Sequence, residues 1–228
     1  MTRRTRQRVA VAGASGLVGR ALLASLAADP AVGPVQALWR RAPDPAAVPD
    51  GITPLLLDPA RLGQPGAPTL PPIDAAFCAL GTTIKVAGSQ AAFRAVDHDA
   101  VLAFAAAARS AGATRFGLVS ALGADARSAV FYNRVKGEVE ATLRAQGWPR
   151  LVIARPSLLL GDRAALGQPE RPGERWGQRL MPAIGGLMPG RWRPITAEVV
   201  ARALHRALLA EGPAVEVLDN ARLHALGA

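Results

Sequence analysis

The chain has 228 residues, half of them apolar and 19% charged, with a formal net charge of +10. That length buries one substantial core and fits a single α/β domain better than two, and no apolar stretch reaches the roughly 20 residues a membrane helix needs without a charge or a glycine turn. The basic balance raises a nucleic-acid partner, but the charge is nearly all arginine, spread over 3–8, 40–41, 171–179 and 191–193 without interleaved aromatics, so it reads as coding bias and no nucleic acid is expected.

At the start, Arg3, Arg4, Arg6 and Arg8 precede the apolar run from Val9 to Val18, which superficially resembles a secretory signal. Gly13, Gly16 and Gly19 interrupt that run, and Arg20 closes it. A buried strand over 8–12, a tight turn and a helix over 16–28 explain it better. With a lone Cys78 that cannot form an internal disulfide, a cytoplasmic location is expected. Strands follow at 35–39, 52–57 and 75–80, separated by stretches rich in proline and glycine. A helix is predicted over 90–111, stopped by Gly112, then a strand over 115–120, a helix over 130–146 and a strand over 151–155. Residues 161–195 carry many prolines and glycines around a short helix near 174–181 and read as a small substrate-side lid. A helix over 197–210 and a strand over 215–218 complete the chain.

The strands are short and apolar throughout, without in/out alternation, and they alternate with helices. That pattern predicts a parallel sheet covered on both faces. Right-handed crossovers then give a doubly wound Rossmann fold of about seven strands, one domain over 1–228.

Gly13-Ala14-Ser15-Gly16-Leu17-Val18-Gly19 lies between the first strand and the first helix. Gly13 permits the sharp turn, Gly16 lets a pyrophosphate approach the backbone, and Gly19 lets helix and strand pack closely. The helix N-terminus offers free N–H groups and a partial positive charge to phosphates. A nicotinamide dinucleotide is therefore expected. The second strand ends at Trp39-Arg40-Arg41 with no acid between Pro30 and Pro43, which suits a 2′-phosphate. NADP(H) is favoured, with NAD(H) the alternative.

Tyr132, the only tyrosine, stands four residues before Lys136, one of two lysines beside Lys85. Positions four apart share a helix face, so phenol and ammonium point together into a cleft. A phenol of pKa about 10 is a poor base at neutral pH, and a neighbouring ammonium makes it a usable general acid and base. The same lysine can hydrogen-bond the nicotinamide ribose. Asp97-His98-Asp99 reads as helix surface and not as a metal site, because adjacent helical residues diverge. Cys78 reads as a buried, unreactive thiol. Lys85 faces either the cleft or solvent. Arg163, Arg171, Arg175, Arg179, Arg191 and Arg193, with Trp176 and Trp192, leave open an anionic substrate or a plain lid.

The glycine turn, Cys78-Ala79-Leu80-Gly81-Thr82-Thr83, Tyr132-x-x-x-Lys136 and Ala154-Arg155-Pro156-Ser157 together resemble the atypical and extended short-chain dehydrogenases. So does the helix from Phe93 to Gly112 running into Arg115-Phe116-Gly117-Leu118-Val119-Ser120. The stretch from Val119 to Glu140, with Lys136-Gly137-Glu138-Val139-Glu140, is most similar to the subgroup of the Tat-interacting, NADPH-binding tumour-suppressor protein and its bacterial relatives. The resemblance implies that Gly13, Ser15, Gly16, Leu17 and Gly19 line the pyrophosphate and that Arg40 and Arg41 lie near the adenosine phosphate. Asp58 would reach the adenine, and Leu80, Gly81 and Thr82 would flank the ribose and bridge. Pro156 would pack beside the nicotinamide. Tyr132 and Lys136 would be the catalytic pair, and Ser120 would polarise the substrate oxygen.

Two departures stand out. The family's Ser-Ser pair reads Ser120-Ala121 here, and Asp97 replaces the asparagine of many extended relatives. The expected activity is hydride transfer between NADP(H) and a small carbonyl or alcohol, by a monomer or homodimer without membrane attachment. The alternative is an NADP(H)-binding regulatory protein with little or no catalysis.

Overall fold

The computed structural model describes residues 6–64, 66–160 and 192–228. Arg3, Arg4, the helix expected near 174–181 and all of the 161–195 segment before Trp192 lie outside the described residues.

Strand β1 (Gln7–Ala12) leads through the glycine turn into α1 (Leu17–Ala27), β2 (Val32–Trp39) and β3 (Ile52–Leu56). Strand β4 (Ala75–Cys78) is followed by the short α2 (Ile84–Ala87), by α3 (Gln90–Arg94), a π turn Ala95–Asp99 and α4 (Ala100–Ser110). Then come β5 (Arg115–Val119), α5 (Phe131–Ala145) and β6 (Arg150–Ala154). The two-residue strands β7 (Leu159–Leu160) and β8 (Ile195–Thr196) flank the undescribed segment, and α6 (Ala197–Leu209), β9 (Val215–Leu218) and α7 (Asn220–Gly227) close the chain.

The main sheet has seven parallel strands in the order β3-β2-β1-β4-β5-β6-β9, the doubly wound arrangement expected. Its central strands are apolar throughout because both faces are covered. Val9 and Val11 of β1 pack toward Leu22, Leu26, Leu204 and Leu208 of α1 and α6. Ala10 and Ala12, one residue out of phase, join Val101 and Phe104 of α4 and Val139 and Leu143 of α5 on the other face. Both layers anchor the C-terminal ends of β1, β4 and β5, where the loops that build the site emerge.

Helices α2, α3 and α7 start where short polar side chains satisfy free N–H groups of the first turn. Thr83 accepts from the Val86 N–H, Ser89 from the Ala92 N–H and Asp219 from the Arg222 N–H. Between α1 and α6, His205 bridges Ser25 Oγ (2.8 Å to Nδ1) and Asp29 Oδ2 (3.1 Å from Nε2).

Three features differ from expectation. The helix over 90–111 is interrupted by the π turn, α2 and α7 are additional, and β7 pairs with β8 in parallel. The base of that small sheet is clamped by Asn220, fully buried, which accepts from the Ser157 N–H (3.0 Å) and donates to the Arg193 carbonyl (2.7 Å). Ser157 Oγ donates to the same carbonyl at 2.6 Å.

Candidate functional site

The three glycines of the first turn do different physical work. Gly13 sits at φ +84°, and a methyl there would meet the backbone of Ala79 at 2.5 Å, so the turn presses on the end of β4. At Gly19 a methyl would lie 2.0 Å from the Gly13 carbonyl oxygen, which brings the helix tight against the turn. Gly16 differs: a methyl would meet nothing nearer than that carbonyl at 3.4 Å, so the protein's own packing does not demand glycine there. Gly16 also caps α1 with no side chain, leaving the N–H groups of Leu17, Val18 and Gly19 without an acceptor among the described residues. Ser15 is exposed and Leu17 half-buried beside them.

The chain from Ala79 to Thr82 carries the site across to α5. Gly81 is exposed, and a methyl there would touch Asp97 Oδ1 at 3.5 Å and Lys136 Nζ at 3.8 Å. Lys136 Nζ lies 2.8 Å from Asp97 Oδ1, with side chains 6% and 0% exposed. That contact is an ion pair outside good hydrogen-bond angles, since Oδ1 has no hydrogen-bond partner. The other oxygen, Oδ2, accepts from the Thr82 N–H at 2.8 Å. Burial alone would pull the Lys136 ammonium down; the Asp97 carboxylate outweighs it, with help from Tyr132, and holds Lys136 above its ordinary value.

Tyr132 is half-buried in the first turn of α5, its ring 5.6 Å from that of Phe93. Among the described residues its hydroxyl meets no hydrogen-bond partner. Ser120, at the end of β5, is buried and donates its hydroxyl proton to Glu140 Oε1 at 2.6 Å. Glu140 also accepts from Arg155 Nε (3.0 Å) and Nη2 (2.5 Å). The hydroxyl expected to polarise a substrate oxygen is thus given to a carboxylate one turn below Lys136. Gly137 explains how the loop before α5 seats: a methyl there would fall 2.1 Å from the Ala126 nitrogen.

The remaining expected residues lie as follows. Arg40 and Arg41 are exposed just past the end of β2, next to the glycine turn in the sheet order. Asp58 accepts from the Ala60 N–H at 3.0 Å, and its second oxygen is left for other use. Leu80 is half-buried, and Pro156 is buried with its carbonyl accepting from the Leu122 N–H at 2.9 Å. Lys85 is exposed on α2.

Sequence reasoning marked Asp97 only as helix surface and a departure from the asparagine of many relatives, and gave Glu140 no role. Asp97 is not helix surface: it is buried on Lys136, while Asp99 Oδ1 turns to His98 Nδ1 at 2.7 Å. Glu140 was visible only as part of a familiar motif. A carboxylate four residues after the lysine, on the face that Val135 and Val139 bury, was the available signal.

The residues fit a dinucleotide. The open space over Gly16 and the free N–H groups of the α1 N-terminus make a cradle that a side chain at position 16 would fill. A family described as NAD(P)H-binding matches residues 13–173. The chain is 38% identical over 180 residues to "Protein fmp52, mitochondrial" of Emericella nidulans, which covers 78% of this chain and 76% of that protein. It is 37% identical over 165 residues to "Protein HTATIP2" of Rattus norvegicus, covering 71% and 64% respectively. Among solved structures, ADP-L-glycero-D-manno-heptose-6-epimerase of Helicobacter pylori superposes with a TM-score of 0.68 at 16% identity, over 96% of this chain and 78% of that one. A UDP-N-acetylglucosamine 4-epimerase from Methanobrevibacter ruminantium gives 0.67 at 14% identity, over 94% and 77%. At such identities the likeness shows the fold alone. By the family match and the two relatives, the chain belongs to the NAD(P)H-binding family, in its atypical short-chain dehydrogenase group with HTATIP2 and fmp52.

Proposed function

We propose that the protein is an NADP(H)-dependent oxidoreductase that moves a hydride to or from a small carbonyl or alcohol, with Tyr132 and Lys136 as its catalytic pair. One observation carries the reading: Gly13 packs directly on the Ala79 backbone, and three residues further on the Thr82 N–H bonds the Asp97 carboxylate that pairs with Lys136, which links the glycine turn to the first turns of α5. A ligand resting its phosphates on α1 and extending along Ala79–Thr82 reaches the first turns of α5. When bound, the nicotinamide supplies or accepts the hydride. The chain's residues do the rest. The Gly16 turn and the α1 N–H groups hold phosphate, Arg40 and Arg41 meet the 2′-phosphate, and Leu80, Gly81, Thr82 and Pro156 line the ribose and ring. Tyr132 Oη exchanges a proton with the substrate oxygen, and Lys136 supplies the positive charge that makes that exchange feasible.

A second reading has its own support. With the Ser120 proton on Glu140, the substrate oxygen lacks one donor, a loss that typically costs about a hundredfold or more in rate. An NADP(H)-binding sensor with little turnover fits that arrangement. Absorbance at the nicotinamide band, with NADPH and a panel of aldehydes, ketones and quinones, separates the two. Turnover abolished by Tyr132→Phe supports the enzyme; tight binding without turnover across the panel supports the sensor. Parallel titrations with NADPH and NADH test the cofactor, and a clear preference for NADH removes the role given to Arg40 and Arg41.

The same reading keeps a small-molecule substrate, a monomer or homodimer, and a cytoplasmic site of action. Sedimentation and cell fractionation test the last two. The mitochondrial designation of the fmp52 relatives names the competing compartment.

A further inference from the structure

Lys136 is buried to a degree at which a lone ammonium gives up its proton. Among the described residues, the groups that face it are Asp97 Oδ1 at 2.8 Å from the π turn, the Tyr132 phenol one turn earlier on α5, and the Cys78 thiol at the end of β4. Asp97 is the only carboxylate among them. It is placed by its position on the buried helix face, four residues from both Phe93 and Val101, and by the Thr82 N–H that holds Oδ2 at 2.8 Å. The π turn Ala95–Asp99 around it is a feature frequent at functional sites. A neutral amide at position 97 would orient the lysine equally well and would supply no charge.

We propose that Asp97 is the counter-ion that keeps Lys136 protonated in its dry position beside Tyr132, and so acts as the positioning residue of the pair. Its bearing on chemistry rests on the reading of Tyr132 and Lys136 given above; the charge claim concerns the protein without any ligand. An ammonium has three donors, and Asp97 engages one side of it, leaving protons for the phenol and for a ribose hydroxyl. The carboxylate therefore sustains the positive charge without exhausting the donors.

The chain has two lysines, Lys85 exposed and Lys136 buried, so lysine labelled with ¹³C at Cε gives two separable signals. Their shifts are followed against pH in the full-length protein without cofactor. In the wild type Lys136 should hold its ammonium shift to a pH above the ordinary lysine value of 10.5. In Asp97→Asn its midpoint should fall below the wild-type one by a unit or more, a tenfold or greater loss of proton affinity. An unchanged Lys136 midpoint in Asp97→Asn overturns the proposal, as does a wild-type midpoint below the ordinary lysine value. Should Asp97→Asn not fold, Asp97→Asn combined with Lys136→Met decides: recovered folding supports a charge left without its counter-ion, and continued failure overturns it. Cofactor titration and turnover test the oxidoreductase reading separately, so either claim can fail while the other stands.

Discussion

Consider Gly16→Ala beside Gly19→Ala. At position 19 the new methyl would sit 2.0 Å from the Gly13 oxygen, 2.7 Å from its carbonyl carbon and 3.0 Å from the Ala14 Cα. All three are backbone atoms, so turn and helix must separate by roughly 1 Å to restore contact distance. Overpacking of this kind costs about 1–3 kcal/mol, and the upper end applies because no side chain can swing aside. Replacing a helical glycine returns about 1 kcal/mol. The net is a loss of about 2 kcal/mol, or roughly 4–8 °C in Tm for a domain of this size. At position 16 the methyl meets one atom at 3.4 Å, and the backbone at φ −79°, ψ 169° is open to alanine. Stability should stay within about 0.5 kcal/mol of wild type. NADPH binding should nevertheless be lost, because the methyl occupies the space assigned to phosphate. Thermal melts followed by circular dichroism, with NADPH fluorescence titrations, read both effects. A Gly19→Ala protein melting with the wild type would refute the packing argument. A Gly16→Ala protein that binds NADPH normally would refute the placement of the phosphates.

Burial holds the His205 imidazole below its ordinary value of 6.5, against a partial opposing pull from Asp29. The unfolded chain takes that proton first, so stability should fall as pH drops through about 6.5, and His205→Gln should flatten that part of a Tm-against-pH curve. The Cys78 thiol is pushed up to about 12 by burial, so a thiol-specific disulfide reagent should find no group in the native protein and one equivalent after denaturation. Glu140→Ala strips Ser120 and Arg155 of a buried acceptor and should cost about 3 kcal/mol by urea unfolding, whereas Ser120→Ala should cost about 1 kcal/mol. A Glu140→Ala variant as stable as wild type would show that the network is incidental.

Much of the fold was legible because parallel strands covered on both faces leave an uninterrupted apolar run, as in Val9-Ala10-Val11-Ala12. Tyr132 and Lys136 were legible for a similar reason: four residues on one regular helix fix a shared face. Asp97 was missed although its spacing was legible: it falls four residues after Phe93 and four before Val101, on the face those residues bury, and was grouped instead with His98 and Asp99 beside it. Its partner lies 39 residues along the chain, read as 136 less 97, beyond any local pattern. The Ser120 hydroxyl was assigned to substrate because sequence shows the residue and not the direction of its proton. Strands of two residues, β7 and β8, are too short to carry a period at all. The last helix did carry a signal, since Asp219 stands in the capping position before it.

Asn220 bonds to the chain on both sides of the stretch between Leu160 and Ile195, and so works as a fastener for its two ends. Both attachment points therefore depend on one buried amide that lies far from them in sequence, and Asn220→Ala should loosen the two together. For engineering, grafts should begin after Leu160 and rejoin before Arg193, and should keep Ser157 and Asn220 intact.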